Sequence, residues 1–264
     1  SGGLVASLGS LDIGLPPIEN WGSDELKQRI VPAVLRGEKI AALAITEPSG
    51  GSDVANLKTR AISEGDFYRV NGSKTFITSG CRADYYTVAV RTGDVGYGGI
   101  SLLLIEKERA GFSVGQPLKK MGWWASDTAE LFFDDVLVPK SNLIGAENAG
   151  FFVIMSNFQK ERLNLAVMAN MTAQLALEEC LNYAHQRVAF GKPLAKMQVI
   201  RHKLADMATE LEASREFTYR VAAQIADGIP AVKEVSMAKN FATQVSDKLT
   251  YEAVQIFGGM GFMR

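Results

Sequence analysis

Phe67-Tyr68-Arg69-Val70-Asn71-Gly72-Ser73-Lys74-Thr75-Phe76-Ile77 reads as two β-strands around a turn. Aromatic and β-branched residues fill both halves, and Asn-Gly suits a type I′ turn, whose two central residues need positive φ. The stretch predicts a hairpin, and the flanking sequence extends it. Tyr85–Arg91, Ile100–Glu106, Phe112–Val114 and residues 130–138 are further short runs of strand formers, with no helical pattern between them. This spacing predicts an antiparallel sheet closed or stacked on itself rather than alternating βαβ units.

On either side the period becomes helical. Ser23-Asp24-Glu25-Leu26 reads as a helix start, with Ser23 as N-cap and acids in the first turn, and Leu26 and Ile30 share a face. Pro32 is expected to end or kink this helix. After Gly150, Met155, Phe158, Arg162, Leu165 and Ala169 keep helical spacing, as do Leu204, Met207, Leu211 and Ser214. Phe190-Gly191-Lys192-Pro193 and Gly228-Ile229-Pro230 punctuate a set of long antiparallel helices. The expected organisation is a helical segment over 1–40, a β-domain over 41–149 and a helical bundle over 150–264. The chain opens on Ser1 and closes in a Gly-rich stretch, which reads as an internal piece of a longer protein.

Composition narrows the function classes. The 264 residues carry 28 Lys+Arg against 29 Asp+Glu, and 47% are hydrophobic. That balance fits a globular chain and speaks against a mainly electrostatic nucleic-acid binder. No apolar run reaches the length of a membrane span. Cys81 and Cys180 form no CxxC, and His185 and His202 form no metal-ligating motif, so neither a disulfide scaffold nor a metal site is expected. Thr46-Glu47-Pro48-Ser49-Gly50-Gly51-Ser52-Asp53 ends an apolar run with small residues and hydroxyls. Such a loop admits close approach of a planar or phosphorylated ligand, although on the residues alone an ordinary polar loop is the favoured reading.

In combination, the motifs resemble the acyl-CoA dehydrogenase family. Residues 44–53 resemble its first signature, and Val70 to Ser79 its flavin-contacting hairpin. Ser126-Asp127-Thr128 through Pro139 resembles the exit from its β-domain. Arg187 to Pro193 with Gln198 resembles its inter-helical turn. Gln255-Ile256-Phe257-Gly258-Gly259-Met260-Gly261 resembles the opening of its second signature. Trp124 departs from the pattern, because members more often carry a polar residue or Arg there. The resemblance implies an α+β fold in which an antiparallel β-barrel domain lies between helical domains, both incomplete here. It implies FAD, an acyl-CoA substrate, dehydrogenation across the α and β carbons, and transfer of electrons to an electron-transferring flavoprotein. An oxidase or flavin monooxygenase of the same fold, or a non-catalytic acyl-CoA-binding scaffold, are the alternatives. The compartment is the cytoplasm for a bacterial protein and the mitochondrial matrix for a eukaryotic one.

By the same resemblance, Leu43, Ile45 and Thr46 line the flavin, Gly51 and Ser52 lie near flavin and substrate, and Phe76 and Thr78 pack on and bond the flavin. On the residues alone, Leu43 and Ile45 could be plain core and Phe76 a cross-strand aromatic. Arg187, Phe190, Gln198, Gln255 and Gly259 match positions that reach the FAD of a neighbouring subunit, which implies a homodimer, doubled to a tetramer. In many members the catalytic Glu lies beyond the second signature. A minority place it on an earlier helix just before an Arg, where this chain has Glu161 and Arg162. Glu161 is therefore the expected base and Arg162 a substrate contact, although Lys-Glu-Arg on a helix also fits a solvated charged face. Phe158, Leu165 and Ala166 fall within reach as apolar walls that would raise the pKa of Glu161.

Overall fold

A computed structural model describes residues 2–263 of the chain. Three helices come first: α1 (Gly2–Gly14), α2 (Pro16–Trp21) and α3 (Asp24–Leu35). The Ser23 hydroxyl caps α3 by accepting the Leu26 N–H at 3.2 Å. Pro32 lies inside α3 and does not end it. Leu26, Ile30 and Val34 are buried along one face, and that burial holds the helix through the hydrogen bond that proline removes.

Eight strands follow: β1 (Ala41–Ala44), β2 (Arg60–Glu64), β3 (Phe67–Thr78), β4 (Tyr85–Arg91), β5 (Ile100–Glu106), β6 (Phe112–Val114), β7 (Thr128–Pro139) and β8 (Leu143–Ile144). They form one sheet in the order β6-β7-β3-β2-β4-β5-β8, with β1 beside β4. The sheet is mixed rather than wholly antiparallel, because β1 pairs β4 in parallel and Arg60 of β2 meets Arg91 of β4 in parallel. Strands β4 and β5 are buried along almost their whole length, whereas β3 and β7 are exposed at intervals. Tyr68, Val70, Tyr86, Val88, Leu103, Leu131 and Val136 are among the buried residues of the core.

The expected hairpin at Asn71-Gly72 is absent. Strand β3 runs straight through both residues, pairing with β2 on one side and β7 on the other. Gly72 has φ +143° and sits at a register shift against β7, where Asn71 alone faces Asp134 and Asp135, so the Asn-Gly pair lies opposite a bulge in β7 and makes no turn. Asn71 reaches Asp135 of β7, donating to its Oδ1 at 2.9 Å and accepting its backbone N–H at 2.9 Å. A Cβ at position 72 would lie 2.7 Å from the Cα of Thr59. The pair is set by these cross-sheet neighbours, which lie far away in sequence.

The helical part comprises α4 (Gly150–Gln186), α5 (Gln198–Ala226), α6 (Val232–Phe257) and α7 (Gly259–Phe262). Between α4 and α5, β9 (Val188–Ala189) and β10 (Lys192–Pro193) form a two-residue hairpin. Its turn residues, Phe190 and Gly191, have φ +52° and +76°, the positive pair that a type I′ turn demands. The chain divides into two compact units, residues 1–157 and 158–264, with α4 crossing the division. In the second unit, ion pairs join Lys203 to Glu252 and Glu210 to Lys248, so α5 and α6 run antiparallel. Met207, Leu211, Val245 and Leu249 pack between them, against Ala173, Leu177 and Cys180 of α4. Among the described residues, no helix is long and apolar enough to cross a membrane.

Candidate active site

A bulge in β3 itself organises the site in the first unit. Lys74 pairs with Leu131 of β7, but Ile77 pairs with Ala129, so one extra residue enters β3 between them. Phe76 takes it up at φ +58°, a conformation that a bulky side chain rarely adopts. Three consequences follow. The Phe76 ring stands out from the sheet, 67% exposed. Lys74 and Thr75 are both buried, although they are adjacent in a strand. The Thr75 N–H donates to the Thr46 carbonyl at 2.9 Å, which fixes the segment that leaves β1.

That segment holds four of the expected flavin contacts, Ile45, Thr46, Gly51 and Ser52, and begins just after Leu43. Thr46 is half-buried and Ile45 buried, while Leu43 is half-buried in β1 opposite Thr87. The exposed loop at Gly50, Gly51 and Ser52 folds back on Thr46, and a Cβ on Gly51 would lie 3.1 Å from the Thr46 Cγ2. Below the loop lies a group that sequence reasoning missed. Lys74, with no exposed side-chain surface, donates to Glu47 Oε1 at 2.8 Å and to the Ile45 carbonyl at 3.0 Å. Glu47 also accepts the backbone N–H of Lys58 at 2.6 Å and of Thr59 at 2.8 Å. Burial pushes the Lys74 ammonium down to about 8, against the pull of Glu47. Burial also pushes the Glu47 carboxyl upward, but the Lys74 charge and the backbone donors outweigh it and hold the group below its ordinary value. Lys74 falls in phase with the core-facing Tyr68 and Val70 of β3, and that parity was the available signal.

The end of β3 is tied to the start of β7. Thr78, half-buried, pairs with Thr128. The Asp127 carbonyl accepts the Ser79 N–H at 3.0 Å, and its carboxylate accepts the Cys81 N–H at 2.6 Å and the Arg82 guanidinium at 2.5 Å. Ser79 and Trp123 share the positive φ of Phe76, at +59° and +55°. A cleft of about 410 Å³ opens beside them, lined by Arg82, Leu118, Lys119, Lys120, Trp124 and Asp127. Trp123 and Trp124 are exposed.

In the second unit, Glu161 is half-buried on α4. Burial raises its pKa from 4.5 to about 7, and the neighbouring Arg162 opposes the shift without cancelling it. The Arg162 guanidinium lies over the Phe158 ring, 5.8 Å from its centroid. Of the expected apolar walls, Ala166 is fully buried and Phe158 half-buried, but Leu165 is 40% exposed. The remaining candidates gather at one end of the bundle. Arg187 follows α4, Gln198 opens α5, Gln255 lies in the last turn of α6, and Gly259 opens α7. Tyr183 stacks on Phe257 at 4.4 Å and ties these ends together. Arg187, Gln198, Gln255 and Gly259 are exposed, and Phe190 is 94% exposed at the tip of its turn.

Comparison with known proteins supplies the remaining findings. The family model for the acyl-CoA dehydrogenase middle domain matches residues 42–136, and that for the acyl-CoA dehydrogenase C-terminal domain matches 148–264. An acyl-CoA dehydrogenase of Bacillus subtilis is 43% identical over 99% of this chain and 69% of its own length. The crystal structure of a probable acyl-CoA dehydrogenase from Mycobacterium abscessus aligns with a TM-score of 0.98 at 55% identity, covering all of this chain and 70% of that one. The structure of PigA with FAD and proline aligns at 0.96 with 31% identity, covering 99% of this chain and 69% of that one.

Proposed function

Because this chain belongs to the acyl-CoA dehydrogenase family, we propose that it converts an acyl-CoA thioester to the trans-2-enoyl-CoA, with Glu161 as base and an electron-transferring flavoprotein as acceptor. The protein is an oxidoreductase whose cofactor is FAD. The residues fit that group. An isoalloxazine has an apolar face and a polar edge. The β-unit offers the exposed Phe76 ring and, beside the Cβ-free approach at Gly51, the hydroxyl of Thr46, with that of Thr78 at the end of β3. Neither hydroxyl has a hydrogen-bond partner among the described residues. FAD, when bound, supplies the acceptor for the hydride that leaves the β carbon.

The chain's own residues do the rest. Thr46 and Thr78 donate to the polar edge of the ring, Phe76 covers its face, and Leu43 and Ile45 back the segment that carries Thr46. Ser52 and Arg162 contact the substrate. The Glu161 carboxylate takes the α-proton as the carbon–carbon double bond forms. The observation that carries this reading is the place of Glu161, half-buried on α4 directly before Arg162 and near the fully buried Ala166; burial there raises its pKa to about 7, and a base works best when its pKa lies near the working pH. Arg187, Phe190, Gln198, Gln255 and Gly259 complete the FAD site of a neighbouring subunit in a homodimer, two of which form the tetramer. The guanidinium of Arg187 suits a pyrophosphate, which it grips through two oxygens. The protein works in the cytoplasm if bacterial and in the mitochondrial matrix if eukaryotic.

The test is anaerobic addition of acyl-CoA to the purified yellow protein. Bleaching of the flavin, then fast recovery with an electron-transferring flavoprotein and slow recovery with oxygen, is the expected result. A protein that takes up no FAD refutes the reading, and fast recovery with oxygen makes it an oxidase.

A further inference from the structure

The buried Lys74–Glu47 pair lies outside the chemistry described above, and its connections have a definite geometry. Its bonds converge on the two ends of one loop. At the near end, Lys74 holds the Ile45 carbonyl at 3.0 Å and Glu47 at 2.8 Å, while the next residue, Thr75, holds the Thr46 carbonyl at 2.9 Å. At the far end, Glu47 holds the amides of Lys58 and Thr59 at 2.6 and 2.8 Å. Residues 48–57 are strung between these anchors, and they include Gly50, Gly51 and Ser52. Consecutive residues of the β3 bulge thus grip consecutive carbonyls beneath the expected flavin contacts. The same bulge turns Phe76 outward.

A pair this buried is a poor choice for stability alone. Two charges lose their hydration, and apolar replacements of similar volume often do as well or better. Lys74 has no exposed side-chain surface and Glu47 has 4%. Burial draws the Lys74 ammonium down to about 8, so it is charged at neutral pH and the pair is ionic there. What an ion pair adds over apolar packing is direction. The ammonium places three hydrogens, and two of them meet a carbonyl and a carboxylate on the same short segment.

We propose that Lys74 and Glu47 are positioning residues for the flavin. They form a buried latch that holds the Thr46 hydroxyl, the Gly50–Ser52 loop and the Phe76 ring in the arrangement that binds FAD. The proposal rests on the function assigned above. Neither residue touches the cofactor, and both act through the backbone they fasten. By linkage, if the latch favours FAD, then FAD favours the latch by the same factor.

Two measurements on the full chain test this. The first is the double variant Lys74→Met/Glu47→Gln, which removes both charges together and avoids stranding one. Apoprotein melting temperature, FAD Kd and flavin reduction potential are compared with the parent. The latch predicts a melting temperature near that of the parent, FAD binding at least tenfold weaker and a shifted potential. An unchanged Kd with an unchanged potential overturns it, because a merely structural pair would leave both alone once folding is restored. The second measurement covers a variant that does not fold. Hydrogen exchange at the amides of Lys58, Thr59 and Thr75 is followed in the parent with and without FAD. The latch predicts at least tenfold slower exchange when FAD is bound, and equal rates overturn it. A parent that binds no FAD at all refutes the assigned function and this proposal with it, whereas a parent that binds FAD with these amides unaffected refutes the latch alone.

Discussion

Replacing Glu161 by Gln should make the protein more stable above neutral pH while abolishing its chemistry. The side chain is half-buried, and burial raises its pKa from 4.5 to about 7. A folded-state pKa above the unfolded one means that folding favours the protonated acid. That stabilisation is complete below pH 4.5 and is lost as pH rises through about 7. At 1.36 kcal/mol for each tenfold, a carboxylate wholly withdrawn from water would cost about 3 kcal/mol once ionised. Allowing for the water that reaches a half-buried group reduces this to about 2 kcal/mol. Gln keeps the shape and carries no charge, so the variant escapes that cost. Its melting temperature should match the parent near pH 4.5 and exceed it by roughly 4–8 °C at pH 8. Circular dichroism melts of both proteins across that range read the difference directly. In parallel, the variant should retain FAD and bind acyl-CoA but fail to bleach on mixing, and the parent's bleaching rate should rise with pH through about 7. A stability difference that does not change with pH would refute the buried-carboxylate reasoning. Near-normal bleaching in Glu161→Gln would refute its role as base and move that role to a Glu outside this chain.

Two further perturbations separate local from long-range effects. Arg187→Ala removes an exposed guanidinium at the end of the bundle, so FAD should be held more loosely while the helices melt within about 0.5 kcal/mol of the parent, read by flavin release on dilution and by urea unfolding. Gly72→Ala places a Cβ 2.7 Å from the Thr59 Cα at a φ of +143°, and should cost about 1–3 kcal/mol in the urea unfolding of the full chain; a neutral effect would argue against that close approach.

The sequence was most readable where local chemistry and tertiary context agree. The boundaries of β4, β5 and β6 follow directly from runs of strand formers, because strands buried on both faces or bounded by turns leave a plain local pattern. Pro32 and Asn71-Gly72 were misread for a common reason. Each carries a strong local preference that a distant contact overrides. The apolar face of Leu26, Ile30 and Val34 keeps α3 running past Pro32, and Asp135, 64 residues away, draws Asn71 into a through-going strand. The type I′ signal was sound chemistry applied at the wrong position. The turn with both central residues at positive φ lies at Phe190-Gly191, where the local sequence advertises it less clearly. The parallel pairing of β1 with β4 was invisible for the same reason, since it depends on where residues 45–84 return and not on the residues that pair. The Lys74–Glu47 pair escaped notice because a lysine in isolation reads as surface.

These failures of local rules have a pattern that bears on function. Among the described residues, six non-glycine positions have positive φ: Phe76, Ser79, Trp123, Asp135, Asn148 and Phe190. Asn and Asp tolerate that conformation because a short polar side chain can bond locally, so Asp135 and Asn148 are unremarkable. Aromatic side chains gain nothing by it and are strained there. Three of the remaining four are aromatic. All four lie in the segments whose sequence resembles family motifs or directly between them: Phe76 and Ser79 at the end of β3, Trp123 three residues before Ser126, and Phe190 at the bundle turn. In each case the strained backbone leaves a ring exposed or redirects the chain at its base, and exposing an apolar ring has no benefit for folding the isolated chain. A sequence optimised only to fold would place Gly at such positions and turn the rings inward. Strain combined with exposure at the same residues is therefore what a surface shaped for a flat apolar partner requires. On the proposed function, that partner is the flavin: in the β-unit the one held by the same chain, and at the Phe190 turn the one held by a second subunit.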